Sequence, residues 1–248
     1  MKPILNIALR AARKAGSFLV YERDRLDLHS KPNGLEDLLF QAEVQLCESI
    51  SKMCPEHLIV STTPDFTTIE QDIVWQIEIV SGRENFIRNI PHYTISLVIY
   101  EAKIPQHTLI YDPNCEEFFV ASAGAGAKVN DYRIRVTNGT SLAGALFMTT
   151  ANYDQSTQIK KLREQGATFY FAGCTILALA YVAAGRADAF CGSDLTQLEL
   201  AAASLLLQES GALIGDLQGA HDYFTKQELL AANAKLFKLC LQAIKKTE

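Results

Sequence analysis

Two hydrophobic patterns alternate along this chain. Apolar residues at helical spacing predict helices over residues 5–19, 38–50, 173–185 and 200–210, and a further helix that holds Lys160, Lys161 and Arg163. Short runs rich in β-branched and aromatic residues predict strands over residues 57–60, 74–80, 93–100, 107–111, 117–121, 146–150, 169–171 and 187–190. Strands and helices that alternate around one antiparallel hairpin predict an α+β protein, with layered mixed sheets covered by helices.

The first of these helices is amphipathic. Its apolar positions fall on one side and include Leu5, Ala8, Ala12 and Leu19, while basic residues interrupt the run. No stretch approaches the roughly 20 uninterrupted apolar residues of a membrane span. We therefore expect no membrane association and a cytoplasmic protein.

The central stretch, residues 74–86, predicts a strand that leads directly into a helix. An apolar run ends at Ser81 and Gly82, and a new polar-apolar pattern follows. Ser81 and Glu84 have the spacing of a capping box, so we expect Ser81 to cap the new helix. Free N–H groups at such a helix start attract anions, which makes Gly82, Arg83 and Glu84 candidate phosphate-binding residues.

This stretch resembles the signature of the inositol monophosphatases, which are magnesium-dependent sugar-phosphate phosphatases. The family has D-P-x-D-G-T-x-N-F where this chain has E-I-V-S-G-R-E-N-F over residues 78–86. Gly82, Asn85 and Phe86 match the family pattern. Glu78 and Ser81 stand where the resemblance implies two aspartate ligands for magnesium.

The resemblance covers nearly the whole chain. The segment T-I-L-A-L-A-Y-V-A-A-G-R-A-D-A-F, residues 175–190, is close to a family helix and strand, and the opening from Pro3 to Gly16 looks most like the SuhB-like branch. The resemblance implies one domain, 1–248, folded as a layered α-β-α-β-α sandwich. It also implies approximate subdomains 1–140 and 141–248 and a homodimer.

The remaining catalytic positions of the family correspond to altered residues. A glutamate pair corresponds to Thr62 and Thr63, and a Trp-Asp pair to Leu198 and Glu199. A D-x-V-T-x-x-D segment corresponds to residues 33–39, with Glu36 and Leu39 at altered positions. The vestigial metal positions are therefore Thr62, Glu78, Ser81 and Glu199.

These replacements argue against the family chemistry. Magnesium requires near-octahedral oxygen geometry and is held mainly by carboxylates and phosphate. Replacing aspartate and glutamate by serine and threonine removes negative charge, and each glutamate in place of an aspartate displaces an oxygen by about a bond length, when productive geometry tolerates roughly 0.5 Å. We expect no cofactor and no two-metal activation of water.

The first hypothesis is therefore a non-catalytic binding or regulatory protein. The SuhB-like branch resembles proteins that join transcription antitermination complexes on ribosomal RNA operons through the elongation factor NusA. Arg186 is the candidate contact for a dimer or another partner, and the alternative is a helix-end arginine paired with Asp188. Basic residues of the first and fourth helices could contact RNA only as local patches.

Two alternatives remain open. A phosphatase could survive by holding one magnesium ion through Glu78 and Glu199, with help from Asp65 or Glu36, and by binding phosphate at residues 82–84. A metal-free anion binder would need only Arg83 and the helix start. Either alternative would use the same central turn.

Composition excludes few of the possible functions. The formal net charge of −5 disfavours a general nucleic-acid binder. The six cysteines show no C-x-x-C spacing, which favours thiols in a reducing compartment over a zinc site. The five histidines have no metal-ligand spacing, and no G-x-S-x-G segment supports a serine nucleophile, so neither group predicts catalysis.

Overall fold

The computed structural model describes residues 2–25, 34–153 and 155–245. Two sheets organise this part of the chain. The first sheet has the strand order β1-β2-β3-β4-β5-β6-β7. Its strands are β1 Leu58–Val60, β2 Ile73–Ser81, β3 Thr94–Glu101, β4 Ile104–Asp112, β5 Glu117–Ser122, β6 Gly126–Val129 and β7 Tyr132–Arg133. All neighbours are antiparallel except β1 and β2, which are parallel.

The second sheet has the strand order β11-β12-β10-β8-β9. Its strands are β8 Leu146–Met148, β9 Thr168–Tyr170, β10 Ala189–Gly192, β11 Leu213–Gly215 and β12 Leu229–Ala232. Strand β8 is parallel to both β9 and β10, whereas β12 is antiparallel to β10 and β11. The first sheet ends before residue 140 and the second begins after it, and on this observation we base the proposed boundary between subdomains.

The helices fill the spaces beside and between the sheets. They are α1 Pro3–Arg25, α2 Leu35–Ser51, α3 Arg83–Ile87, α4 Thr157–Glu164, α5 Thr175–Ala183, α6 Gln197–Glu209, α7 Tyr223–Lys226 and α8 Ala234–Lys245. Helices α1 and α2 share a core with one face of the first sheet. The other face packs on α5 and α6, which in turn contact the second sheet. Helices α4 and α8 cover the outer face of the second sheet.

This order of layers confirms the predicted α-β-α-β-α arrangement. Helix α6 illustrates why, because four consecutive residues that together span its circumference are at most 3% exposed, namely Leu200, Ala201, Ala202 and Ala203. A helix that is apolar around its circumference lies inside a protein, whereas the amphipathic α1 lies at its surface. Among the described helices, none is long and apolar enough to cross a membrane.

Candidate functional site

The central turn begins where β2 ends at Ser81. Gly82 follows in the left-handed conformation, with φ of 86°, and α3 starts at Arg83. No side chain caps α3. The predicted capping box of Ser81 and Glu84 is therefore wrong, because the positive φ of Gly82 separates Ser81 from the helix and Ser81 stays in the strand.

The hydroxyl of Ser81 instead turns back to its own strand. Its Oγ donates a hydrogen bond to Oε2 of Glu78. The pairing of β2 with β3 is irregular between these two residues, and this irregularity lets both side chains meet. Burial raises the pKa of the Glu78 carboxyl, and the bond from Ser81 partly opposes that rise.

Glu199 lies at the start of α6, on the other side of the same region. It completes a capping box with Thr196, in which the Thr196 hydroxyl accepts from the Glu199 N–H and the Thr196 N–H donates to the Glu199 carboxylate at 2.8 Å. Burial raises the pKa of Glu199, and the negative charge of Glu78 adds to that rise. The two carboxylates named in the phosphatase alternative thus influence each other, but each has its own hydrogen-bond partner.

Arg83 and Glu84 make surface ion pairs. Arg83 Nη2 bonds to Oε1 of Glu36, a residue of α2. Glu84 pairs with Arg88, one helical turn later, at 3.6 Å. The guanidinium of Arg83 is therefore partly neutralised by Glu36, and the Glu36 carboxylate has Arg83 as its partner.

The other vestigial positions do not join this cluster. Thr62 and Thr63 are exposed in the loop after β1. Leu39 is a residue of α2, and its side chain packs against the apolar core that α1 and α2 share with the first sheet. Asp65 accepts hydrogen bonds from the hydroxyl and N–H of Thr67, so it organises its own turn. Asn33, the first residue of the corresponding family segment, lies outside the described residues.

The oxygen donors at the central turn differ from those that a magnesium ion requires. The ion needs several oxygen donors at about 2.0–2.1 Å in an octahedron, with carboxylate charge to stabilise it. Here Glu78 is bonded to Ser81 and Glu199 is bonded to a backbone N–H. Within residues 2–25, 34–153 and 155–245, no group of three or more His, Cys, Asp or Glu side chains could hold a metal ion. The donor set does not fit.

The raised pKa of Glu78 gives a testable pH dependence. A carboxyl with a raised pKa in the folded state holds its proton more tightly there than in the unfolded chain. Its contribution to stability is complete below the ordinary pKa of 4.5 and is lost as pH rises through the raised value. Glu78→Gln should therefore flatten the pH profile and raise the free energy of unfolding at neutral pH. The gain should be about 1.4 kcal/mol for each tenfold difference in proton affinity between the folded and unfolded states.

Urea denaturation at a series of pH values would measure this effect. The series should run from about pH 4 to about pH 8, so that it starts near the ordinary pKa of a glutamate and extends well above it. Glu84→Gln is the matched control, because Glu84 lies six residues away on the exposed side of α3 and makes a surface ion pair. Parallel profiles for the wild type and Glu78→Gln would show that Glu78 does not control the pH dependence.

Sequence reasoning missed the residues that hold the turn from behind. Cys174 Sγ contacts the Ser81 carbonyl at 3.4 Å, and the side-chain amide of Asn85 donates to the carbonyls of His92 and Ala172. The family pattern marks Asn85 as important but gives no partner. Its partners lie 7 and 87 residues away, and only the folded chain brings them together.

Arg186 lies after α5 and does not pair with Asp188, so that alternative is wrong. Its guanidinium binds both carboxylate oxygens of Glu117, with Nη1 at 2.6 Å from Oε2. It also stacks over the rings of Phe119 and Tyr181. Asp188 accepts a bond from the Leu146 N–H instead. Because Arg186 remains partly exposed, its proposed contact with a partner stays a prediction.

The sequence model of the inositol monophosphatase family matches residues 1–247. This chain belongs to the inositol monophosphatase family. Its inositol monophosphatase relatives include "Nus factor SuhB" of Pseudomonas aeruginosa, which is 36% identical over 98% of this chain and 96% of that protein. "Nus factor SuhB" of Escherichia coli K12 is 33% identical over 97% of this chain and 95% of that protein. The resemblance to the SuhB-like branch is confirmed.

Solved structures show the same inositol monophosphatase fold. The extragenic suppressor protein suhB of Bartonella henselae superposes with a TM-score of 0.84 at 26% identity, over 99% of this chain and 100% of that chain. The inositol monophosphatase of Thermotoga maritima has a TM-score of 0.84 at 24% identity, over 97% of this chain and 96% of that chain. At this identity, the similarity to the Thermotoga maritima protein shows the fold alone.

Proposed function

We propose that this member of the inositol monophosphatase family is a SuhB-type binding or regulatory protein without magnesium-dependent phosphatase activity. The observation that carries the proposal is the bond between Ser81 and Glu78, at the two positions where the family signature has aspartates. The neutral Ser81 hydroxyl and the Glu78 carboxylate satisfy each other's hydrogen-bonding capacity. Two aspartates at these positions would instead present two negative charges to a metal ion. The Arg83–Glu36 pair supports the proposal, since it occupies a further carboxylate.

The proposed role is participation in transcription antitermination complexes on ribosomal RNA operons through NusA. Its support is the similarity, over nearly the whole chain, to proteins named Nus factor SuhB. Such a role requires surfaces and no metal site. We further propose a cytoplasmic homodimer in which Arg186 contributes to a protein contact, because its side chain is fixed by Glu117 yet 39% exposed.

Phosphate release from inositol 1-phosphate over a magnesium series tests the catalytic half of this proposal. The expected result is no turnover above that of Glu78→Ala, prepared and purified in parallel. Glu84→Ala is the matched control for a lost surface carboxylate. Magnesium-dependent turnover that Glu78→Ala abolishes would support the surviving phosphatase, with Glu78 and Glu199 as its carboxylates.

Binding to purified NusA of the same organism tests the regulatory half. Light scattering would first establish the oligomeric state, and calorimetry would then measure association. We expect binding that Arg186→Ala weakens and that magnesium does not change. Arg163→Ala is the control, since it removes an arginine stacked on the Phe169 ring in the outermost layer. Absence of association with NusA would contradict the proposed partner, whatever the phosphatase assay shows.

A further inference from the structure

Three polar side chains form a hydrogen-bonded series on the first sheet, away from the central turn. The Ser122 hydroxyl lies 2.8 Å from Nδ1 of His107. Nε2 of the same ring lies 3.2 Å from Oε1 of Glu101. The histidine is only 1% exposed and the serine 5%. This order of hydroxyl, imidazole and carboxylate is the arrangement that activates a serine for nucleophilic attack.

The sheet itself fixes this geometry. His107 of β4 and Ser122 of β5 are directly paired in the antiparallel register, so their side chains leave the same face side by side. The register between β3 and β4 shifts after Ile99, which is the partner of His107. The shift places Glu101, two residues beyond Ile99, within reach of the ring. Three adjacent strands therefore hold the three groups on a rigid support.

The two ring nitrogens have different roles. The Glu101 carboxylate is an acceptor only, so Nε2 carries a proton and donates to it. Burial and the positive charge of Lys2 lower the pKa of His107, which favours the neutral ring. A neutral ring that is protonated at Nε2 has a free lone pair at Nδ1. The Ser122 hydroxyl donates its proton to that lone pair and keeps its oxygen lone pairs for another group.

Ser122 also lines a cavity of about 450 Å³ between the start of α1 and the turn that joins β5 to β6. The walls are mostly apolar and include Pro3, Leu5 and Val120. Lys2 and Lys128 line it too, and within the described chain neither ammonium group has a carboxylate within 4.0 Å. This volume lies in the range of small-molecule sites, about 300–1,000 Å³.

We propose that Ser122 is the nucleophile of a second, hydrolytic site for small apolar carboxylic esters. The Ser122 oxygen attacks the ester carbonyl and transfers its proton to Nδ1 of His107. The carbon–oxygen bond to the alcohol breaks, and the alcohol leaves with that proton. His107 then takes a proton from water, the resulting hydroxide attacks the acyl carbon, and the bond to the Ser122 oxygen breaks. The proton passes from His107 to that oxygen, and the carboxylic acid leaves. The ammonium groups of Lys2 and Lys128 supply positive charge for the oxyanion.

This site is independent of the former metal positions. His107 and Ser122 lie on the same face of the first sheet as Leu109, and this face packs on α1. Glu78 lies on the same face as Val74, and that face packs toward α6. The sheet separates the two groups of side chains. The absence of phosphatase activity and the presence of esterase activity are therefore separate proposals, and the test of one does not decide the other.

Hydrolysis of p-nitrophenyl butyrate by the full-length protein tests the proposal. Ser122→Ala and His107→Gln should each lower kcat/KM by about 100-fold or more, the usual effect of removing a nucleophile or its general base. Ser96→Ala is the matched control, because Ser96 is a fully buried serine on neighbouring β3 with no histidine bonded to it. Thermal melting would confirm that each variant folds.

Covalent labelling gives a second readout. Phenylmethylsulfonyl fluoride should form an adduct that peptide mass spectrometry places on Ser122, and His107→Gln should lose it. An adduct confined to Lys2 or the exposed Cys115 would overturn the proposal. So would a rate for wild type no higher than that of Ser122→Ala.

Glu101 is a positioning residue, and its test is the pH profile. The rate should fall on acidification as His107 becomes protonated. Glu101 raises the pKa of His107 while Lys2 lowers it. Glu101→Gln should therefore move the acid limb to lower pH, and Lys2→Ala should move it to higher pH. A profile that neither variant moves would show that His107 is not the base.

Discussion

Replacing Gly82 with alanine should lower the free energy of unfolding by about 2–5 kcal/mol, the largest single effect expected at the central turn. Two causes combine. The φ of 86° is a left-handed conformation, which costs a residue with a Cβ about 1–2 kcal/mol. The added Cβ would also lie 2.9 Å from Cβ of Cys174 and 3.0 Å from the His92 carbonyl oxygen. Overpacking of this kind costs about 1–3 kcal/mol more.

Gly211→Ala separates the two causes. Gly211 follows α6 with a φ of 91°, and a Cβ built there meets no heavy atom within 4 Å. Its substitution should therefore show the conformational cost alone, about 1–2 kcal/mol. Urea denaturation of both variants gives the comparison. Equal losses would mean that the turn can relax away from Cys174, which would refute the close packing argued for Gly82.

Periodicity predicted most of the long elements of the fold because their burial is local in sequence, although helix α8, Ala234–Lys245, was not predicted. The apolar side of α1 and the apolar circumference of α6 both follow from spacing alone. Strands β11 and β12 were not predicted. The sequence of β12 is Leu-Leu-Ala-Ala, which has no β-branched residue and suits a buried helix equally well. Only its pairing with β10 and β11 makes it a strand.

The candidate site was less predictable because its contacts join distant parts of the chain. Arg83 and Glu36 are 47 residues apart, and Ser81 and Cys174 are 93 apart. Spacing alone suggested that Ser81 would cap α3, but the left-handed Gly82 is the N-cap residue and Ser81 is still part of β2. Ser122 and His107 of the proposed esterase site are 15 residues apart on paired strands, and no short sequence motif predicts such a pair.

Two residues of the family pattern, Gly82 and Phe86, have structural roles at the central turn. Gly82 adopts a left-handed backbone conformation and lies close to Cys174 and the His92 carbonyl. A residue with a Cβ would be strained in both respects. The Phe86 ring is fully buried and packs edge-on against Tyr93 at 4.9 Å between centroids. Neither role depends on an ion. The fold of this turn therefore does not depend on metal chemistry, which is the condition that the proposed SuhB-type binding role requires.

Asn85→Ala should lower the free energy of unfolding by about 1–3 kcal/mol, the second largest effect at this turn. The Asn85 side-chain amide donates to the His92 carbonyl at 2.8 Å and to the Ala172 carbonyl at 2.9 Å. Asn85 is 8% exposed, so the bonds are largely shielded from water. Deleting the amide removes both bonds, although the Ala172 carbonyl keeps a contact with Nδ1 of His92 at 3.0 Å.

Asn85→Asp makes this prediction specific to the amide. The aspartate has the same shape but no N–H group, and its carboxylate would face two carbonyl oxygens. It should destabilise the protein at least as much as alanine does, and acidification should partly restore stability because a protonated carboxyl can donate one bond. If Asn85→Asp were instead as stable as the wild type at neutral pH, the side chain would only fill space. The link between α3 and the segment before α5 would then rest on packing around Cys174.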